Sequence, residues 1–262
     1  MGVLRKISRI LGIYKVYEKV LEDEVRKEVL PSHIALILDG NRRWARNKKL
    51  PTWIGHKYGA KKVEEVLDWI LKLGIKIVTL YVLSTENLKR DKKELEKLFN
   101  IISEYLDRAI NSETIERYNV RVKAIGNLNL LPKRIRSKIN RLEEKTAQNN
   151  KRFLNIAIAY GGRLEIINAT RKIASDVIKG KIKVEEIDEK LFEKYLFTSH
   201  LPHPSPDLVI RTSGEERLSN FLLWQSAYSE LIFLDIYWPD FRRIDLLRAI
   251  RTYQKRHRRF GL

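Results

Sequence analysis

His33-Ile34-Ala35-Leu36-Ile37-Leu38-Asp39-Gly40-Asn41-Arg42-Arg43-Trp44-Ala45-Arg46 is an apolar run that ends on a carboxylate and passes at once into a basic, helix-favouring stretch. A run with almost no charge reads as a strand buried on both faces, the pattern of a parallel sheet covered by helices. Ligands of such sheets collect at the carboxyl ends of the strands, where Asp39 stands. Gly40 lets a backbone N–H approach a ligand closely, and the helix start that follows adds unpaired N–H groups with a partial positive charge. Taken alone, Asp39 reads equally well as an ordinary helix N-cap. The rest of the chain decides between the two.

Outward from that stretch the pattern alternates. Strand-like runs lie at 33–38, 76–83, 120–125, 153–159, 207–211 and 231–234, with helical periodicity at 57–72, 91–118, 132–149, 162–179 and 241–257. Alternation of this kind predicts an α/β fold, a mostly parallel six-stranded sheet covered by helices. No Pro- or Gly-rich linker divides the pattern, so residues 31–262 read as a single catalytic domain. Residues 1–30 carry apolar positions at Leu4, Ile7, Leu11, Tyr14, Leu21 and Val25, spaced by threes and fours, and read as an N-terminal amphipathic helical extension. Arg5, Lys6, Arg9, Lys15 and Lys19 flank that stripe, which suits either an anionic bilayer or packing on the domain.

Composition narrows the chemistry. The chain has 262 residues, 44% of them apolar, enough for a sizeable core. Cysteine is absent, which excludes disulfides, thiolate metal sites and cysteine nucleophiles. Abundant Lys, Arg, Glu and Ile resembles thermophile usage. No stretch is long and apolar enough for a transmembrane helix or a secretory segment, so a cytoplasmic location is expected. The 52 basic against 33 acidic residues give a net charge of +19 and call for an anionic partner: nucleic acid, membrane or a phosphorylated small molecule. No zinc-finger spacing, Walker A sequence or dinucleotide fingerprint occurs, and the motifs favour a phosphorylated small molecule over nucleic acid.

Four polar clusters fall at or near predicted strand ends. The first is Asp39 to Trp44. The second, Ser84-Thr85-Glu86-Asn87-Leu88-Lys89-Arg90, offers Asn87 and Arg90 to a phosphate or a moving proton. The third, Arg211-Thr-Ser-Gly-Glu-Glu-Arg217-Leu218-Ser219, has arginines, hydroxyls and a glycine suited to an oxyanion. The fourth is Glu230, a lone acid in an apolar and aromatic run, costly to bury unless paired or bound to metal. His56, in Gly55-His-Lys-Tyr-Gly59, could reach an anion through a ring N–H.

Together with Tyr160-Gly-Gly-Arg163, Asp207 to Gly214 and Arg217 to Gln225, these segments closely resemble the ordered motifs of the cis-prenyltransferases, the undecaprenyl diphosphate synthase family. The likeness spans roughly residues 31 to 262. It implies a fold with a hydrophobic tunnel and an enzyme that condenses isopentenyl diphosphate repeatedly onto an allylic diphosphate, geranylgeranyl or farnesyl, giving a long-chain carrier lipid for glycan assembly. Magnesium is the implied cofactor, held by Asp39 and Glu230. Gly40, Asn41, Arg42, Arg43, Trp44 and His56 would gather on the allylic diphosphate. Asn87, with Ser84, Thr85, Glu86, Leu88 and Arg90 nearby, would assist loss of the proton, and Arg211, Arg217, Leu218 and Ser219 would grip isopentenyl diphosphate.

Arg259-Phe-Gly261 resembles a terminal family motif that reaches the active site near a subunit boundary, so the likeness implies a homodimer. Work at an anionic membrane surface follows from the lipid product and the basic surplus. The alternative is a non-catalytic scaffold subunit of a heteromeric cis-prenyltransferase, which would be expected to lack the Asp and Arg clusters kept here. Three positions depart from many bacterial members: Arg42 replaces Gly, Thr52 replaces Arg and Leu88 replaces Trp. Against that likeness, Thr52 leaves the allylic diphosphate one expected cation short, for which Arg42 could substitute. The likeness also implies that Leu88, at the entrance of the hydrocarbon site, alters allylic preference.

Overall fold

The structure is a computed structural model and describes residues 13–256. Its six strands are β1 (His33–Ile37), β2 (Ile77–Ser84), β3 (Val120–Ile125), β4 (Arg152–Tyr160), β5 (Leu208–Thr212) and β6 (Glu230–Leu234). All pair in parallel, in the order β3-β4-β2-β1-β5-β6. The described helices are α1 (Ile13–Lys27), α2 (Asn41–Asn47), α3 (Thr52–Leu73), α4 (Lys92–Ile110), α5 (Glu113–Arg117), α6 (Lys133–Lys145), α7 (Gly162–Ile178), α8 (Glu189–Tyr195) and α9 (Arg243–Lys255). Strand order reverses beside β1, because the chain builds β2 to β4 on one flank and β5 and β6 on the other. That reversal opens a crevice at the carboxyl ends of β1 and β5.

β1 is buried along its whole length, as its sequence predicts. Ile34 and Leu36 join the cluster formed by α1, α3 and α9, while Ala35 and Ile37 face the opposite layer with Tyr81, Tyr160 and Phe221. A third cluster packs α4 and α6 against β3 and the near edge of the sheet, through Phe99, Ile102, Leu106, Ile135 and Val122.

Two expectations are corrected. The single helix expected over 91–118 is two, α4 and α5, separated at Asn111 and Ser112. Ser112 caps the second by accepting from the Ile115 N–H, and that local hydrogen bond competes with helix continuation. α8 forms where no helix was expected, whereas 41–47 is the short helix its helix-favouring sequence suggests.

In the amphipathic N-terminal segment, Leu21 and Val25 are fully buried against the domain. Arg243 of α9 bonds Glu18 at 3.1 Å and Glu22 at 2.6 Å, and Gln254 donates to the Val25 carbonyl. α1 therefore packs on the sheet's helical layer, although Val16 and Val20 face outward. Leu4, Ile7, Leu11, Arg5, Lys6 and Arg9 lie outside the described residues. Among the described residues no helix is long and apolar enough to cross a membrane.

Candidate active site

Asp39 sits two residues beyond β1 and is held from several sides. Its side chain accepts from the Gly40 N–H at 2.6 Å and from Arg211 Nη2 at 2.8 Å, with Arg43 Nη2 at 3.4 Å. Its backbone carbonyl accepts from Thr212 Oγ1 and from the Trp238 N–H. Burial alone would raise its pKa, but the Arg211 guanidinium and the Gly40 N–H outweigh burial and hold it below the ordinary carboxylate value. Asp39 is therefore ionised at neutral pH. Gly40 has φ 101°, and a Cβ there would come within 2.7 Å of the Tyr237 ring, so this turn requires glycine on two counts.

The residues expected to gather on the allylic diphosphate are assembled by a close helix–helix approach. Gly55 and Gly59 are four apart on one face of α3, where a Cβ would fall 2.0 Å from the Asn41 carbonyl oxygen or 2.1 Å from Asn41 Oδ1. α2 can therefore seat directly on α3, which brings Arg42 and Arg46, one helical turn apart, to the same cavity as His56. Glu94, in the first turn of α4, lies among Arg42 Nε at 3.3 Å, His56 Nε2 at 3.6 Å and Arg90 Nη1 at 3.7 Å. Burial and the neighbouring Arg90 push the His56 pKa down to about 4, so its ring is neutral at pH 7 and can donate one N–H. Buried atoms Arg42 Nε, His56 Nε2 and Glu94 Oε1 make no hydrogen bond, so the three form an electrostatic nest rather than a closed network.

On the other flank, Arg211 at the end of β5 has a side chain only 4% exposed. It donates to Asp39, to Ser219 Oγ at 2.8 Å and to the Arg217 carbonyl. Glu215 bridges Arg43 at 2.9 Å and Arg217 at 2.6 Å. The backbone that carries Ser219 is strained: Ser219, Asn220 and Leu222 have φ of 50°, 66° and 42°. Such a conformation persists only when its surroundings over-determine it. Asn220 donates to Glu86 Oε1 and accepts from the Arg163 N–H, and its carbonyl accepts from the Gly162 N–H. Beneath it Phe221 stacks on Tyr81 at 4.5 Å, and the buried Glu165 accepts from Tyr160, Gln225 and the Phe197 N–H.

Behind this mouth lies a cavity of about 790 Å³ between the sheet and helices α3 and α4. Its walls change from Asp39, Arg42, Arg43, His56 and Arg211 to Leu67, Leu71, Val82, Ile101, Ile102 and Leu106. An arrangement of this kind suits a molecule that is anionic at one end and a hydrocarbon at the other.

Of the residues singled out in the sequence, Asp39, Gly40, Asn41, Arg42, Arg43, His56, Ser84, Asn87, Arg90, Arg211 and Ser219 all line this one cavity. Asn87 is fixed by Ser84, whose Oγ accepts its N–H at 3.1 Å. Arg217 stands at the rim with its side chain 63% exposed. Thr85 and Glu86 turn away toward Gly161 and Asn220. Trp44 is packed on Tyr58 at 4.9 Å, and Leu218 on the apolar layer containing Phe221, so both support the site from behind. Leu88 packs beside the cluster of α4 and α6, whose Leu98, Ile102 and Leu106 line the cavity, and is itself set back from the lining. Arg259 and Gly261 lie outside the described residues.

Glu230 requires the larger correction. It opens β6 in register with Leu208, at the amino edge of the parallel sheet, whereas Asp39 follows the carboxyl edge of β1. About 15 Å of strand separates the two edges, and Glu230 instead pairs with Arg256 at 2.8 Å. Within one chain the two acids do not share a metal. Three residues were missed: Arg46, whose i+4 spacing from Arg42 was available once the segment was a helix, and Glu94 and Glu215, acids whose cationic neighbours come from distant segments.

Among the described residues no group of three His, Asp or Glu could cage a metal ion. A magnesium ion commonly keeps several waters and binds through one or two carboxylates plus substrate phosphates. Asp39, ionised at the mouth of a cation-lined cavity, fits that mode of binding.

A family model described as "Putative undecaprenyl diphosphate synthase" matches residues 37–261. A protein of Methanopyrus kandleri named tritrans,polycis-undecaprenyl-diphosphate synthase (geranylgeranyl-diphosphate specific) is 55% identical over 261 residues, covering 99% of this chain and 96% of its own. A protein of the same name from Methanocaldococcus jannaschii is 55% identical over 250 residues, covering 95% of this chain and 89% of its own. The crystal structure of lavandulyl diphosphate synthase from Lavandula x intermedia, in complex with dimethylallyl diphosphate, superimposes with a TM-score of 0.86. It is 37% identical and covers 89% of this chain and 99% of that one.

Proposed function

We propose that this chain, which belongs to the undecaprenyl diphosphate synthase family, is a homodimeric enzyme that extends geranylgeranyl diphosphate with isopentenyl diphosphate to an undecaprenyl diphosphate. It is a prenyltransferase, and cis condensation is the reaction of its family. The preference for a geranylgeranyl primer rests on the specificity named for the archaeal relatives, and the product on their names. The lipid would serve as a glycan carrier, made in the cytoplasm by a protein in peripheral contact with a membrane and adapted to a thermophile.

The observation that carries this reading is the joining of one ionised aspartate and five cationic or N–H-donating side chains, Arg42, Arg43, His56, Arg90 and Arg211, to a deep apolar cavity. Arg42, Arg46, His56 and the Gly40 turn would bind the allylic diphosphate, with its hydrocarbon directed into the cavity. Arg211, Arg217 and Ser219 would bind isopentenyl diphosphate, so that the two reactants meet across Asp39. The allylic C–O bond breaks, diphosphate leaves, and the isopentenyl double bond attacks the allylic carbon. The proton lost from the isopentenyl unit departs on the side of Asn87. A magnesium ion bound through Asp39 and the phosphates would neutralise charge on the leaving group. The arginines are already held by Asp39, Glu215 and Ser219, so they need little reorganisation as that charge develops. Ile101, Ile102 and Leu106 keep water from the reactive carbon.

The test is condensation of labelled isopentenyl diphosphate by the purified chain with magnesium, using geranylgeranyl or farnesyl diphosphate as primer. Turnover favouring geranylgeranyl diphosphate, with an undecaprenyl product by mass spectrometry, is expected. No product with either primer would remove the catalytic reading, and equal turnover of both would remove the preference.

A further inference from the structure

The cavity does not stop inside the molecule. Its lining runs from Asp39 and Arg211 at the carboxyl edge of the sheet to Lys76, Arg152 and Phe153 at the amino edge. That path is the length of β2, Ile77–Ser84, about 26 Å at the rise of a strand. The amino-edge end lies beside a second, surface pocket that shares Lys76, Arg152 and Phe153 and adds Arg117, Tyr118, Lys151 and His203, with no acidic residue in that pocket's lining, while the cavity's own acids on α3, Glu64 and Asp68, are paired with Arg108 and Lys72. Lys76, Arg117 and Lys151 are exposed and make no ion pair among the described residues. Arg152 is tethered, donating to the Gly74 and Ile75 carbonyls at 3.1 and 3.2 Å and lying over the Tyr118 ring at 5.8 Å. It thus ties the end of α3 to the segment after α5 across the bottom of the cavity.

We infer that this far mouth is a docking surface for an anionic lipid bilayer, through which the tail of the growing hydrocarbon meets the membrane. The inference rests on the polyprenyl-synthase reading above. A hydrocarbon of eleven isoprene units is longer, when extended, than the cavity is deep, and its free end is carried toward this mouth as units are added at the other. Basic side chains without acidic partners are attracted to anionic headgroups, Tyr118 at the same opening is a residue type that favours the interface between water and lipid, and Phe153 adds apolar surface beside it. The carboxyl-edge mouth is as cationic, but its charges are engaged by Asp39, Glu94 and Glu215.

The full chain is mixed with vesicles of phosphatidylcholine alone or containing phosphatidylglycerol, and bound protein is measured by sedimentation. Wild type is expected to bind the anionic vesicles only. R117E/K151E, at two positions outside the cavity lining, lowers that binding about tenfold or more and leaves condensation in detergent unchanged, which also reports its folding. R117Q/K151Q gives an intermediate loss, and K15E/K19E on α1 a smaller one than R117E/K151E. Equal binding to neutral vesicles, or wild-type binding by R117E/K151E, overturns the inference, as does greater loss in K15E/K19E. Retention on RNA stronger than on vesicles, and removed by R117E/K151E, also overturns it. A wild type inactive in detergent, with or without vesicle binding, instead removes the catalytic reading.

Discussion

The cavity has two cationic mouths, and they differ in how their charges are held. At the carboxyl edge Arg211 is nearly buried and shared among Asp39, Ser219 and the Arg217 carbonyl, and Arg43 lies between Asp39 and Glu215. At the amino edge Lys76, Arg117 and Lys151 project into solvent, and only Arg152 is fixed. Charges pinned by carboxylates and strained backbone are preorganised for chemistry. Unpinned ones can only attract a diffuse counter-charge. Net charge is therefore a poor guide to where chemistry happens; the acids among the bases mark it.

If this contrast is right, the largest effect comes from removing the acid that organises the first mouth. Asp39→Ala should lower kcat on the order of a thousandfold or more in a steady-state condensation assay, with a circular dichroism spectrum like wild type. Near wild-type turnover by the folded variant would break the distinction between the two mouths. Arg211→Ala leaves Asp39 partly buried without its nearest cation, and should reduce kcat/KM for isopentenyl diphosphate on the order of a hundredfold. An effect confined to the allylic primer would move Arg211 to the other half-site.

The folded carboxyl-edge mouth also carries a pH signature. Burial holds His56 at a pKa of about 4, and His33, inside the sheet, likewise at about 4. The unfolded chain takes up these protons near 6.5 and the folded chain does not until about 4, so stability present above pH 6.5 falls as pH drops through that window. The slope is at most about 1.4 kcal/mol per pH unit for each histidine. Melting temperature measured from pH 7 to 4 should fall, and His56→Gln should flatten the fall. A curve insensitive to His56 would mean that its ring is not buried neutral.

The smallest effect belongs to the amino-edge mouth. Arg152→Ala unties the end of α3 from Tyr118 and should shift the product distribution toward longer chains, read by mass spectrometry, with little change in turnover. An unchanged distribution would show that the base of the cavity is set by the surrounding apolar side chains instead.

Much of the architecture was legible because burial on both faces leaves its mark on composition. β1 could be read from His33 to Leu38, and Asp39, Arg42 and Arg43 of the motif after it line one cavity with Arg211 of the motif at the end of β5. How deep Leu88 sits was not legible, because that depends on how α4 and α6 pack; it lies against the cluster whose Leu98, Ile102 and Leu106 line the cavity. The resemblance gave Glu230 to the metal, whereas an isolated acid in an apolar run signals only that it has a partner. Arg256, distant in sequence, is that partner.

The sequence by itself determined the alternating α/β plan, the family and most of the side chains at the carboxyl-edge mouth, because periodicity, strand ends and local turns are properties of neighbouring residues. Only the tertiary structure decided that Glu230 and Asp39 lie at opposite edges of the sheet, that Glu94 and Glu215 hold the arginines, and that the cavity lining runs on to Lys76 and Arg152 at the amino edge. Those facts depend on strand order and helix packing, which bring together residues that no spacing along the chain connects.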